Sequence, residues 1–142
     1  MMNRMLDWET KLADFIHANL RTPFAWGKFD CCLFACDAVQ AVTGTDLARD
    51  FRGKYDSLAS AYAMAKEYSG GAIAELAEKK AAEYELAEVP LAFASRGDVV
   101  LVSTVLGDAL GIIGMDGIDA LCSASHGLVK VSRSAWKKAW RI

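Results

Sequence analysis

Phe24-Ala25-Trp26-Gly27-Lys28-Phe29-Asp30-Cys31-Cys32 is the stretch on which the fold turns. Asp30 stands just ahead of an apolar helical pattern formed by Phe34, Ala35, Ala38, Val39 and Val42, and Gly44 closes that pattern where helices favour a left-handed residue. Asp30 then caps the helix and Cys31 falls in its first turn. Unpaired backbone N–H groups and the helix dipole favour negative charge there and lower a thiol pKa, and a thiol is a nucleophile only as its thiolate. The Asp30 carboxylate would oppose a thiolate if it turned inward, so it is assigned to the backbone N–H groups. Trp26 and Gly27 add an aromatic wall and a flexible backbone approach, both suited to a substrate cleft.

On the N-terminal side, Trp8, Leu12, Phe15, Ile16 and Leu20 form one apolar helical face, with Asp7 as its expected N-cap and Thr22-Pro23 as its stop. Beyond Gly44 a polar stretch runs from Thr45 to Lys54. Asp56-Ser57 then caps a third helix reaching about Tyr68, where Gly70-Gly71 stops it. A fourth helix, half exposed, is predicted from Ile73 to about Tyr84. After Pro90 the character changes. Val99–Val102, Leu110–Ile113, Ala120–Cys122 and Leu128–Val131 are short β-prone runs between Gly and Asp turns. Ala135–Ile142 reads either as a last helical turn or as a final edge strand. Helices first and strands afterwards give an α+β fold, with N-terminal helices packed on a C-terminal antiparallel sheet.

The 142 residues, 54% of them hydrophobic, suit one domain spanning 1–142. A net charge of −2 with both signs interspersed offers no basic stripe, so nucleic acid is not an expected partner. No apolar run is long enough to cross a bilayer, and Met1–Thr10 is charged where a signal peptide would be apolar, so no membrane insertion and a cytosolic origin are expected. The four cysteines are then expected as reduced thiols. Cys32 and Cys36, with Cys122 and His126, would suffice in number for zinc. Among Leu33, Phe34, Ala35 and Ala38, however, cysteine behaves as a small apolar residue, and core packing without a metal or cofactor is the expectation.

Phe24-Ala-Trp-Gly, a short spacer, Asp30-Cys31 and an apolar helix together resemble the NlpC-type papain-like cysteine peptidases. Arg96-Gly97-Asp98-Val99-Val100 is similar to the Gly-Asp turn that opens that family's first core strand, and Ala109-Leu110-Gly111-Ile112-Ile113 to its next strand. The resemblance covers about Asp7 to Val131, and Gly127-Leu128 with Trp140-Arg141-Ile142 is similar to short prophage-encoded members. It implies a papain-like fold in which Cys31 attacks a peptidoglycan stem-peptide amide. It also implies a bacteriophage tail-tip context, with synthesis in the bacterial host cytoplasm and residence in the virion tail tip.

One departure bears on the chemistry. The family's general base is a histidine two residues before the strand glycine, and that position here is Ala109. The third, orienting residue falls nearest Ser123, and His126 is the remaining candidate base, approaching from another side. His17, on the first helix, reads as a surface or boundary residue. Two functions follow: a degenerate domain acting structurally in tail assembly or host cell-wall engagement, docked to a phage tail hub or fibre-bearing tail-tip protein, or an active peptidoglycan endopeptidase with Cys31 as nucleophile. Arg96-Gly97-Asp98 also spells an integrin-recognition tripeptide, but its lead into a strand reads as a turn.

Overall fold

A computed structural model describes residues 2–142. The chain runs α1 (Trp8–Asn19), α2 (Cys31–Thr43), α3 (Leu58–Ser69) and α4 (Ile73–Glu83), then β1 (Glu88–Val89), β2 (Val99–Thr104), β3 (Gly107–Ile113), β4 (Ala120–Ala124), β5 (Gly127–Val131) and β6 (Trp136–Trp140). Single 3-10 turns sit at Leu91–Phe93 and Arg133–Ala135. The strands form one antiparallel six-stranded sheet in the order β1-β6-β2-β3-β4-β5, so the α+β reading holds.

The helix starts follow from local chemistry, with one exception. Asp30 accepts the Leu33 N–H at 2.9 Å, and Gly44, at φ 82°, ends α2 with its N–H on the Gln40 carbonyl. Ser57 and Ser60 form a reciprocal capping box ahead of α3. Asp7 does not cap α1. Its side chain makes no bond to the helix N–H groups and faces the Lys11 ammonium at 3.8 Å, one turn on.

Helix α2 is apolar around most of its circumference because it is the middle of the structure. Leu33, Phe34, Ala38, Val39 and Val42 are fully buried, and they share a cluster with Val99, Leu101, Leu110, Ile112 and Trp140 from one sheet face. Phe15 stacks on Phe34 and docks α1 against the same helix. The opposite sheet face carries a second cluster, Val100, Val102, Ile113, Ala120, Cys122, Trp136 and Ala139, against which Leu91 and Val131 pack. The alternation of the two sets along β2 and β3 is the period-2 signature of a sheet covered on both faces.

The C-terminal stretch resolves as a strand preceded by a 3-10 turn. It is not an edge: β6 lies between β1 and β2, with Val99 opposite Trp140 and Val102 opposite Trp136. The edge on that side is β1, two residues that carry too little pattern to be read from sequence. Gly97 takes φ 87°, the left-handed turn before β2, and Asp98 is completely buried. It is met by Arg4 at 2.9 Å, Arg141 at 3.2 Å and the Ser95 N–H at 2.9 Å. The Arg96-Gly97-Asp98 tripeptide is therefore a structural turn whose carboxylate ties both ends of the chain to the sheet.

Candidate functional site

The loop before α2 is wound into a tight turn by reciprocal backbone bonds between Ala25 and Phe29 at 3.1 and 2.8 Å. Gly27 takes φ 77° here, and a Cβ on it would lie 2.0 Å from the Tyr55 carbonyl oxygen, so only glycine lets the two segments touch. The loop hangs on β4 at two points. The Phe24 N–H donates to the Ala124 carbonyl at 2.9 Å, and the Ser123 hydroxyl donates to the Phe29 carbonyl at 3.0 Å. Ser123 thus holds the loop that delivers Cys31.

Asp30 is almost fully buried and accepts three hydrogen bonds: Leu33 N–H on Oδ1, and on Oδ2 the Gly27 N–H at 2.9 Å and the Tyr55 hydroxyl at 2.5 Å. Its assignment to capping holds. Tyr55 closes the set from just beyond the Thr45–Lys54 polar stretch, in a segment that the helical pattern left unassigned. Burial, together with the hydrogen bond to and the charge of Asp30, holds its phenol well above the usual range.

Cys31 opens α2 at the floor of a cleft of about 290 Å³. Trp26 and Tyr55 line one side, Leu58, Tyr62 and Ala65 of α3 and Ile73, Glu75 and Leu76 of α4 form the far wall, and Asp108 enters from β3. Burial pushes the Cys31 thiol up to about 11. The Leu110 N–H and the first N–H groups of α2 pull the other way, and the Asp30 charge adds to the rise. Desolvation therefore outweighs the helix terminus, and the thiol stays protonated at neutral pH.

Neither histidine lines this cleft. His126 is exposed in the turn between β4 and β5, its Nδ1 3.0 Å from the Ser125 hydroxyl, and His17 is exposed on α1. Ala109 brings only a methyl group, packed toward the second core cluster. Cys32 and Cys36 are buried on α2, and the Cys32 thiol is raised by its contact with Cys36 and by burial. Cys122 is pushed up to about 12 by burial and by the charge of Cys31.

Sequence reasoning located Trp26, Gly27, Asp30 and Cys31, which the structure brings together. It missed Tyr55, Tyr62, Glu75 and Asp108. Asp108 was legible only as a turn residue, Tyr62 only as part of the third helix, and Glu75 only as part of the half-exposed fourth.

Fold and site together define an α+β domain with a half-buried thiol at the start of its central helix, facing an aromatic cleft. A family model described as a domain of unknown function (DUF6950) matches residues 3–142, and the chain belongs to that family. Among curated proteins, none matches the chain.

Proposed function

We propose that this is a papain-like domain of the NlpC type that keeps the cysteine cleft without a working base. In this reading it serves as a non-catalytic component of a phage tail tip, docking a hub or fibre-bearing neighbour. The observation that carries the reading is the lining of the cleft over Cys31, in which no imidazole stands; burial, which pushes the thiol up to about 11, supports it. Cysteine peptidase chemistry needs a thiolate near neutral pH and an acid to protonate the leaving amine, and this cleft provides neither. The sequence resemblance around Asp30-Cys31 and Gly97-Asp98 supplies the fold family and the phage setting.

The test is the pH dependence of Cys31 alkylation by iodoacetamide, read peptide by peptide, in the native protein and in His126→Ala. The reading expects alkylation of Cys31 to rise only in strongly alkaline solution and to be the same in both proteins. Fast alkylation below pH about 8 that disappears in His126→Ala would establish a dyad and make the protein a hydrolase. Mass spectrometry of purified tail particles tests the setting, and absence of the chain from them would overturn it.

A further inference from the structure

The cleft over Cys31 has a one-sided charge. Its charged lining residues are Asp30, Glu75 and Asp108, and among the described residues no lysine, arginine or histidine lines it. The rest of the lining is apolar or aromatic, including Trp26, Tyr55 and Tyr62. Trp26 is 36% exposed and Tyr62 57%, so ring surface is open to an incoming group.

The three carboxylates are not equally available. Asp30 is closed by its three internal donors. Both Asp108 oxygens face Lys137, at 3.1 and 2.9 Å. Glu75 uses Oε2 to accept the Ala72 N–H at 3.1 Å, while its Oε1 accepts no hydrogen bond among the described residues. Glu75 is exposed at the start of α4, on the wall shared with Tyr62. Aromatic rings and an open carboxylate lining one cleft, with no cation paired to that carboxylate among the described residues, make a site for an alkylammonium group: the rings attract its charge and the carboxylate fixes its end. The aliphatic lining formed by Leu58, Ile73 and Leu76 suits the hydrocarbon stem behind such a head.

We infer that the cleft binds a lysine side chain flanked by apolar residues on a neighbouring protein chain, with Glu75 and Tyr62 holding the ammonium. This rests on the docking reading above and names the chemistry of the docked partner. It assigns the cleft to recognition through α3 and α4, not through Cys31.

The test titrates the isotope-labelled full chain with acetyl-Leu-Lys-Leu-amide, and with the same peptide carrying norleucine or glutamate in place of lysine. Amide shifts are followed at millimolar peptide. The lysine peptide is expected to bind about ten-fold tighter than the norleucine peptide, with shifts at Trp26, Tyr62 and Glu75. E75Q keeps the cap on Ala72 and is expected to weaken lysine binding about five-fold without affecting the norleucine peptide. Tyr62→Leu, at an exposed position, is expected to weaken it comparably. Equal affinity for lysine and norleucine, shifts elsewhere on the surface, or no binding at millimolar peptide would each overturn the inference. Mass spectrometry of the same samples keeps the two readings apart. Peptide cleavage would sink the non-catalytic reading and leave the cation site standing, whereas intact peptide without selectivity would sink the site alone.

Discussion

The Tyr55 hydroxyl donates to Asp30 Oδ2 at 2.5 Å, across 25 positions of sequence. That bond fastens the segment leading into α3 to the N-terminus of α2, and it does so beneath the cleft. The same carboxylate oxygen holds the Gly27 N–H and the other holds the helix cap. One buried aspartate therefore positions the Trp26 loop, the Cys31 turn and the approach to the far wall.

Removing that carboxylate is expected to cost more than a cap alone. Asp30→Ala loses the Leu33 bond and leaves the Gly27 N–H and the Tyr55 hydroxyl unmet in the interior, a loss of about 3 kcal/mol. Tyr55→Phe removes one charge-assisted bond and leaves the carboxylate two donors, a loss of about 1.5 kcal/mol. Urea denaturation ranks them, and equal losses would mean that the Tyr55 bond carries all of the effect and the cap none. Asp30→Asn also removes a charge that raises the Cys31 thiol, so Cys31 alkylation should shift to lower pH in that variant.

Gly27 and Gly53 make a controlled pair. Both have left-handed φ, 77° and 78°, but a Cβ at Gly53 meets nothing within 4 Å, while one at Gly27 would overlap the Tyr55 carbonyl. Gly53→Ala is expected to lose about 1 kcal/mol from conformation alone. Gly27→Ala should lose about 3 kcal/mol or more, because backbone must move. Melting temperatures of the two variants decide it, and similar values would show that the loop yields easily.

How far the sequence could be read follows from how local each determinant is. The cap at Asp30, the stop at Gly44 and the turn at Gly97-Asp98 depend on residues within a few positions of one another, and all were legible. Asp7 has the right residue type ahead of α1, yet its carboxylate turns to Lys11, a choice between two near-equal partners that no pattern encodes. The place of β6 inside the sheet depends on β1, which is two residues long and is recognisable only through its pairing. At the site, Cys31 was legible because a helix start has a sequence signature. Tyr55 was not, because its partner lies in another element. The helix-start argument also favoured a lowered thiol pKa. Desolvation of the half-buried Cys31 in its cleft reverses that sign.

Alkaline pH should reveal the raised thiols, Cys31 and Cys122 among them, as lost stability. In the unfolded chain a thiol ionises near pH 8.5, whereas Cys31 holds its proton to about 11 and Cys122 to about 12. Between those limits the folded state binds more protons than the unfolded one, so stability falls as pH rises; below about 8 these groups contribute no slope. The urea midpoint is expected to be level from pH 7 to 8 and to drop towards pH 11, with a stability loss on the order of 3 kcal/mol per thiol. Cys122→Ala should flatten part of that slope, and an unchanged slope would assign the loss to other groups.

Lys80 tests whether a buried ion pair stabilises this fold. Its side chain is 7% exposed, with Nζ 2.9 Å from Asp50 and 3.0 Å from Glu83, and it lies over the rings of Phe51, Tyr68 and Tyr84. Desolvation lowers its pKa, but hydrogen bonds to Tyr68, Asp50 and Glu83 outweigh that and hold it above the usual lysine range. The carboxylates differ from the ammonium in one respect: they are 48% and 41% exposed, so water can solvate them if the lysine is lost. Lys80→Met keeps the hydrocarbon stem against the rings and strands no charge, so it should lie within about 1 kcal/mol of the native protein. Lys80→Ala opens a hole under the same rings and should lose about 2 kcal/mol. The double variant Asp50→Asn, Glu83→Gln leaves the ammonium buried without a counter-charge and should be the least stable, by about 3 kcal/mol. Thermal unfolding of the three gives the order. If Lys80→Met were the worst, the ion pair itself, rather than the avoidance of an unpaired charge, would hold α4 to the segment around Asp50.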